Sequence, residues 1–319
     1  MSKLAGKSVL VTGGEGFIAS HLTRSLIRAG SQVTILDSPK AIQWRTKDLG
    51  PHVQRIKCDI SNIDIDALTS KIKNAQIIYH LAAGGVNPSS EDSSLIMQTN
   101  VMGTHKMLQL AMKLESERFV YCGSCFEYES GNLLSEDMMP MPISEYGASK
   151  SAAWLLVETF GRQYNLKTTS IRPFTAYGPF EAKYRLIPYT IIRALDGLDI
   201  NATLGEQTRD FIFIDDLIQA FFVAGTNPNA INGTFNACSG MAISVKELIS
   251  LIIKLTNSSS SSNFGAIPYR KTEMWALSGD PSKAKRKLGW NATTSLKNGL
   301  EKTIQWFKEN RSLYAEYKG

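Results

Sequence analysis

Tyr146 and Lys150 stand four residues apart in the stretch Ser144-Glu145-Tyr146-Gly147-Ala148-Ser149-Lys150. On a helix that spacing puts both side chains on one face. A lysine cation beside a phenol favours the tyrosinate, so Lys150 is expected to lower a tyrosine pKa that ordinarily sits near 10. A tyrosine tuned in this way can exchange a proton at the oxygen of an alcohol or ketone. The spacing also occurs on ordinary surface helices, so the rest of the chain has to supply the remaining chemistry. Upstream lies Tyr121-Cys122-Gly123-Ser124-Cys125-Phe126-Glu127-Tyr128. Arg118–Cys122 reads as a buried strand, which places the Ser124 hydroxyl at its C-terminal end, where doubly wound sheets meet their ligands. Ser124 and Tyr146 are the candidate catalytic pair.

The elements that must position this pair alternate regularly. Lys7–Thr12 reads as a strand leading into Gly13-Gly14-Glu15-Gly16-Phe17-Ile18-Ala19 and a helix to about Ala29. In such a strand–turn–helix unit, Gly13 permits the tight turn and Gly16 lets the backbone approach a pyrophosphate at the helix N-terminus. The next strand, Gln32–Leu36, ends at Asp37. A carboxylate there can accept hydrogen bonds from an adenosine ribose and would repel a 2′-phosphate, which favours NAD over NADP. Lys40 and Arg45 lie close enough in sequence to keep NADP open. Val53–Cys58 is a third strand, followed by Asp59-Ile60, and Ala75–Leu81 is a fourth, followed by Ala82-Ala83-Gly84-Gly85. Small residues there let the chain pass close to a flat cofactor. His80 reads as a packed strand-end histidine. A helix from about Ser94 to Leu114 contains Asn100, and the helix from about Glu145 to Tyr164 carries the Tyr/Lys pair. The alternation predicts an α/β, doubly wound parallel sheet of the Rossmann kind.

Thr168–Ile171 is a sixth strand, and Arg172–Pro179 then turns out of the sheet. Beyond it the simple alternation stops. Helices are expected at Arg185–Leu195, Asp215–Gly225, Ser244–Leu255 and Ser295–Glu309, with short strands near Asn201–Leu204, Ile212–Ile214 and Thr234–Ala237. The serine run Ser258–Ser262 reads as an excursion inside a domain. The expected division is a NAD(P)-binding domain over 1–178. A smaller lobe covers 179–319, with elements able to return to the first domain.

Composition sets the outer limits. The 319 residues, 43% of them hydrophobic, can bury a large core. The formal net charge is +6, with a pI near 9.0. The only dense basic run is Lys283–Lys287, and an anionic small molecule accounts for this surface as well as nucleic acid does. No nucleic-acid partner is expected. Cys122 and Cys125 form a C-x-x-C, but without a second pair or a histidine cluster no metal site is expected. With no signal-like segment and no apolar run of spanning length, the reading is a cytoplasmic protein with no membrane association and reduced thiols.

The motifs TGGEGFIAS, LD closing the second strand, CDI, YHLAAG, QTNVMGTHKML, YCGSCFEY, YGASK and RPFTAYGP follow one another in this order. Together they resemble the extended short-chain dehydrogenase/reductases of the nucleotide-sugar epimerase/dehydratase/4-ketoreductase family, across almost the whole chain. The resemblance implies NAD as cofactor and a nucleoside-diphosphate sugar as substrate. Tyr146 would be the general acid/base. Lys150 would hold the nicotinamide ribose, and Ser124 would bind the reacting sugar oxygen. Gly13, Gly16, Phe17 and Ile18 would cradle the pyrophosphate, Asp37 the adenosine ribose, and Asp59 and Ile60 the adenine. Leu81, Ala82, Ala83, Asn100 and Pro173 would complete the cofactor site. The lobe over 179–319 would be mainly substrate-binding. Val86, Cys125, Phe126, Thr175, Leu186, Ile187, Pro188, Arg209 and Arg270 would meet the substrate, the two arginines offering guanidinium forks to its diphosphate oxygens. A homodimer through the helices containing Asn100 and Tyr146 is implied as well.

Within that family the chemistry at C4 of the hexose is reduction, epimerisation, oxidation or dehydration. Cys125-Phe126 stand where the 4,6-dehydratases carry Asp-Glu, and Phe126 stands where the decarboxylases carry glutamate, which disfavours both. Thr175 replaces an asparagine frequent in 4-epimerases. Cys125-Phe126-Glu127-Tyr128 with Arg172–Pro179 resembles the members that reduce nucleotide-linked 4-keto-6-deoxy sugars, while Asp37 pulls toward the epimerases, which keep NAD bound. The expectation is reduction of a 4-keto-6-deoxy sugar, with an NAD-dependent 4-epimerase as the alternative. A 4-dehydrogenase or a redox-inactive dinucleotide-binding regulator stands behind these.

Overall fold

The computed structural model describes residues 3–72, 74–86 and 92–316. The first half runs β1 (Ser8–Thr12), α1 (Phe17–Arg28), β2 (Gln32–Asp37), β3 (Val53–Lys57), α2 (Ile65–Lys71), β4 (Ile77–His80), α3 (Ser93–Met97), α4 (Gly103–Lys113), β5 (Arg118–Cys122), β6 (Gly131–Leu134), α5 (Glu145–Tyr164) and β7 (Thr168–Pro173). The second half runs β8 (Thr175–Tyr177), α6 (Leu186–Leu195), β9 (Ile200–Ala202), β10 (Thr208–Phe213), α7 (Ile214–Thr226), β11 (Gly233–Ala237) and β12 (Ala242–Ser244). It ends with α8 (Val245–Thr256), β13 (Ser262–Phe264), β14 (Ala276–Gly279), α9 (Ser282–Leu288), α10 (Leu296–Glu309) and α11 (Arg311–Glu316).

Strand side chains alternate between two cores because the side-chain period of a strand is two. Val9 and Val11 of β1 pack in one core with Leu22 and Leu26 of α1 and Leu217 and Phe221 of α7. Leu10 between them packs in the other, with Leu68 of α2, Leu108 of α4 and Val157 of α5. A strand buried on both faces reads as a continuous apolar run, as the first strands do. Each such leucine or valine contributes about 1.5–3 kcal/mol by leaving water. Helix α1 shows the matching stripe, with Ala19, Leu22, Thr23 and Leu26 buried.

The main sheet is parallel, in the order β11-β7-β5-β4-β1-β2-β3. Thr12 pairs with Leu36 on one side and His80 on the other, and His80 pairs with Tyr121. The C-terminal ends of β1, β2, β4 and β5 therefore share one edge. Strand order reverses between β1 and β4, the crevice where such sheets take their ligands.

Three features depart from the expected elements. The helix expected over 94–114 contains a π-helical turn at Gln98–Met102 between α3 and α4. Such a turn holds an extra residue in a continuous helix and recurs at functional sites. The strand expected at 212–214 is longer, and β10 takes in Arg209. Finally, β6, β8, β12, β13 and β14 were not expected, because each has only three or four residues, too few for a readable alternation. Four of them join β10 in a second sheet, β12-β10-β14-β6 with β8 also on β10, while β13 pairs with β9. Strands from both sides of residue 178 contribute to each large sheet. β6 lies beside β14, and β11 closes the main sheet against β7.

Candidate active site

The glycine turn lies flat against the exit of β4. Gly13 has φ +68°, and a Cβ on it would stand 2.7 Å from Ala82 Cα, so only glycine serves there. The Gly16 amide donates to the Gly13 carbonyl at 2.9 Å. Gly16 also begins α1 without a side-chain cap, and the first turn, which opens with Phe17 and Ile18, has no acidic residue. These amides suit a pyrophosphate. The Asp37 carboxylate is fixed by two backbone donors, Glu15 N–H at 2.9 Å and Ser38 N–H at 2.7 Å. Burial pushes its carboxyl up, against the pull of those two donors. Asp59 caps a short turn through Ser61 N–H at 3.0 Å, and Ile60 is buried against Gly103. This edge of the sheet fits a dinucleotide.

His80 is part of the wall. The Ala82 amide donates to Thr12 Oγ1 at 3.2 Å, and Thr12 Oγ1 meets His80 Nδ1 at 2.7 Å. On the other side His80 Nε2 meets Thr104 Oγ1 at 2.9 Å, which donates to the Asn100 carbonyl at 2.6 Å. Thr104 has committed its proton, so Nε2 carries the ring hydrogen and Nδ1 accepts from Thr12. Burial pushes the imidazole down to about 3, which keeps it neutral. Leu81, Ala82 and Ala83 follow, partly buried, and Val86 is exposed. Asn100 sits in the π-turn. Its Oδ1 accepts from Gly84 N–H at 2.7 Å, and its Nδ2 donates to the Gly84 carbonyl at 3.1 Å and to Ser149 Oγ at 2.8 Å. Ser149 Oγ in turn donates to the Tyr146 carbonyl at 2.7 Å. One amide thus ties the exit of β4 to the helix that carries Tyr146.

Helix α5 starts at a Ser144 cap, whose Oγ accepts from Gly147 N–H at 3.1 Å. A Cβ on Gly147 would stand 2.2 Å from the Phe126 carbonyl. That glycine lets the first turn of α5 press onto the Ser124–Phe126 segment, which brings Tyr146 beside Ser124. The Phe126 ring stands edge-on to the Tyr146 ring at 6.2 Å. The direction of the Tyr146 shift is the reverse of the expected one. Burial raises the phenol above its ordinary value, while a hydrogen bond from the Ser124 side chain opposes the rise. Lys150 is one turn away, but its Nζ donates to the Cys122 carbonyl at 2.6 Å and lies 4.8 Å above the Tyr121 ring. Spacing set the lysine near the tyrosine, and the carbonyl at the end of β5 captured its ammonium. Burial also lowers the Lys150 pKa.

Beneath Ser124 lies a buried ion pair. Glu127 Oε1 accepts from the Ser124 amide at 2.8 Å, and Oε2 accepts from Arg172 Nε at 2.7 Å. Both side chains are fully buried. Arg172 Nη1 donates to the Tyr128 hydroxyl at 2.8 Å, which bonds Asn236 Oδ1 at 2.9 Å. The guanidinium lies 4.8 Å from the rings of both Tyr128 and Trp154.

Of the residues expected to meet a substrate, Cys125 is buried, as is its neighbour Cys122, and burial pushes their thiols up to about 12 and about 11. Pro173 ends β7, and Thr175 opens β8, partly buried. Of the 186–188 segment only Leu186 keeps exposed surface, because Ile187 and Pro188 turn into the core. Arg209 is held inside the lobe: Nη1 donates to the carbonyls of Thr208 at 2.8 Å and Met274 at 2.5 Å, and Nη2 pairs with Glu273. Arg270 is exposed. The basic run forms α9, which buries Ala284 and Leu288, and Lys283 pairs with Asp137 at 3.6 Å. Among the described residues, no group of three His, Cys, Asp or Glu side chains is placed to hold a metal ion. No helix among them is long and apolar enough to cross a membrane.

The model of the NAD dependent epimerase/dehydratase family matches residues 9–238. The chain belongs to that family. It is similar to a UDP-glucose 4-epimerase of Mycolicibacterium smegmatis, with 29% identity over 94% of this chain and 98% of the relative. It is 28% identical to a trifunctional UDP-glucose 4,6-dehydratase/UDP-4-keto-6-deoxy-D-glucose 3,5-epimerase/UDP-4-keto-L-rhamnose-reductase of Arabidopsis thaliana, aligned over all of this chain. The chain spans about half the length of that relative. Among solved structures it resembles the UDP-glucuronic acid 4-epimerase of Bacillus cereus in complex with UDP-glucuronic acid and NAD. There the TM-score is 0.84 and the identity 28%, over 95% of this chain and 99% of that one.

In this epimerase/dehydratase-family chain the motif reading named Ser124, Tyr146 and Lys150 but passed over their supports. Ser149, Thr12 and Thr104 carry no motif signal beyond their small hydroxyls. Glu127 did carry one: a carboxylate in the apolar continuation of a buried strand needs a buried partner. Arg172, at the end of another buried strand, was the available cation.

Proposed function

We propose that this protein is an NAD-dependent 4-epimerase of a nucleoside-diphosphate hexose. The observation that carries the reading is its similarity, over nearly the full length of both chains, to two 4-epimerases of UDP-sugars. The site supports it. Ser124 and Tyr146 stand together at the sheet edge, and Cys125 and Phe126 offer no further acid or base for elimination. The reading displaces the ketoreductase expected from the sequence, which rested on the likeness of the 125–128 and 172–179 stretches to 4-keto-6-deoxy-sugar reductases, with Thr175 in place of an asparagine frequent in 4-epimerases.

Bound NAD supplies the acceptor and donor of hydride at C4. The chain's own residues handle the oxygen. The Ser124 hydroxyl orients it, and Tyr146 takes and returns its proton. Phe126 shields the phenol from water on one side. Lys150, anchored at the Cys122 carbonyl, places a positive charge in the same buried corner. Asp37 favours the unphosphorylated adenosine ribose. The helices of the pair of elements around Asn100 and Tyr146 expose Leu95, Met102, Met112 and Leu155, an apolar surface suited to a homodimer.

The test is to purify the chain, identify its nicotinamide, and offer UDP-glucose, UDP-glucuronic acid and a nucleotide-linked 4-keto-6-deoxyhexose, the last with NADH and with NADPH. Interconversion at C4 without net cofactor consumption is expected. Stoichiometric oxidation of reduced cofactor with the keto-sugar, and no epimerisation, would replace this reading with the reductase. Light scattering of the same preparation tests the dimer.

A further inference from the structure

Glu15 lies inside the glycine turn, yet its side chain is buried at 5% exposure. One carboxylate oxygen accepts from Thr46 Oγ1, and the other lies 3.4 Å from Arg55 Nε without hydrogen-bond geometry. Arg55 reaches this place from β3, with Nη1 on the Gly50 carbonyl at 3.0 Å and Nη2 on the Thr46 carbonyl at 2.7 Å. Arg45 is also engaged, its Nε donating to the Phe180 carbonyl at 2.8 Å and its Nη1 to the Glu15 carbonyl at 3.4 Å. A small crevice at this end of the sheet is lined by Glu15, Asp37, Ser38, Gln43, Arg55 and Lys57. The Glu15 amide donates to Asp37, and the Glu15 charge pushes the Asp37 carboxyl further up. Two carboxylates and several cations thus surround the place where Asp37 would meet an adenosine ribose.

We propose that Glu15 is a second determinant of cofactor choice, holding Arg55 and adding its own negative charge so that a 2′-phosphorylated adenosine is rejected. Asp37 alone would leave Arg55 and Lys57 in the crevice beside the ribose, a surface that suits a phosphate. Glu15 neutralises Arg55 at close range, and the carbonyls of Thr46 and Gly50 fix its fork in directions that a phosphate would have to compete for. Because Glu15 sits in the turn itself, its charge is set by the same backbone that approaches the pyrophosphate.

The test is equilibrium binding of ADP-ribose and 2′-phospho-ADP-ribose to the full chain, which needs neither nicotinamide nor turnover. The wild-type chain is expected to prefer ADP-ribose. Glu15→Gln keeps the size and a hydrogen-bond acceptor for Thr46 but removes the charge, and it should reduce the preference about tenfold, as loss of one nearby unit charge does. Arg55→Gln should change it in the opposite direction, raising the preference about threefold, since Glu15 is then unopposed. The double variant removes one charge of each sign and should fall back within about threefold of the wild type. A purely structural role for Glu15 would lower the affinity for both probes alike and leave their ratio unmoved. An unchanged ratio in a folded Glu15→Gln protein overturns the proposal. If that variant fails to fold, the Arg55→Gln arm decides, and a ratio that stays level or falls overturns it equally.

Discussion

Replacing Glu127 by glutamine should be among the most damaging single-atom changes available to this protein. The carboxylate accepts from the Ser124 amide with one oxygen and from Arg172 Nε with the other, both without solvent. Glutamine offers a single carbonyl oxygen, so one donor loses its acceptor and meets an NH2 group instead. Loss of a charge-assisted hydrogen bond is worth about 1.5–3 kcal/mol. Leaving Arg172 as an uncompensated buried cation brings the total to about 3–5 kcal/mol. Tyr128 and the two aromatic faces around the guanidinium soften this without replacing the lost charge. Arg172→Met should cost a similar amount by stranding Glu127. The double variant Glu127→Gln/Arg172→Met should cost at least about 2 kcal/mol less than the sum, because it leaves no unpaired charge. Urea unfolding followed by circular dichroism gives all three values from midpoints at constant slope. A loss below about 1 kcal/mol for Glu127→Gln, or simple additivity in the double variant, would refute the reasoning.

The remaining predictions concern the site and its pH dependence. Tyr146→Phe should lower turnover about 10²–10⁴-fold while nicotinamide binding is retained, since in the proposed mechanism it removes only the proton-exchanging group; near-normal turnover would remove Tyr146 from that role. Gly13→Ala places a side chain on a backbone at φ +68° and 2.7 Å from Ala82. It should cost about 2–5 kcal/mol from the left-handed conformation and the overlap together, and should empty the protein of NAD; an unchanged melting temperature with full NAD content would contradict the close approach of the turn to β4. Glu181 has a buried carboxylate oxygen without a hydrogen-bond partner, and burial pushes its carboxyl up to about 8 against the pull of Arg185. Its folded value lies above its unfolded one, so the folded state holds the extra proton. The associated stability is present in acid and is lost as pH rises from about 4.5 through about 8. Glu181→Gln should therefore gain on the wild type by up to about 1.4 kcal/mol per pH unit across that window, and an equal difference at both ends, measured by urea unfolding, would show that Glu181 does not titrate there.

The main sheet was legible because its strands are buried on both faces and its helices carry one apolar stripe, patterns that survive in a single sequence. The candidate site was legible for a different reason: Gly13, Asp37 and Ser124 lie at or just past strand ends, and Tyr146 and Lys150 sit one turn apart at the start of a helix. What could not be read is how side chains choose among nearby partners. The spacing of Tyr146 and Lys150 gave proximity, but the Cys122 carbonyl captured the ammonium and burial decided the direction of the tyrosine shift. Arg209 was a free fork in the sequence and is paired with Glu273 in the fold. The partner of Glu127 lies on a strand formed much later in the chain. The short strands of the second sheet were illegible because three or four residues carry no readable period.

The exchange of strands between the two sheets makes the halves of the molecule mutually dependent products of one chain. A fragment ending at residue 178 would synthesise β6 without β14 and β7 without β11. It would therefore turn β7, buried along its whole length in the full chain, into an open sheet edge, the template on which unrelated chains aggregate. On the ribosome the nucleotide-binding half cannot complete its sheet until residues 233–237 emerge. Attempts to graft a new substrate lobe onto this cofactor domain should accordingly swap loops within the lobe and leave β8, β10, β11 and β14 in place, since the seam is woven rather than hinged.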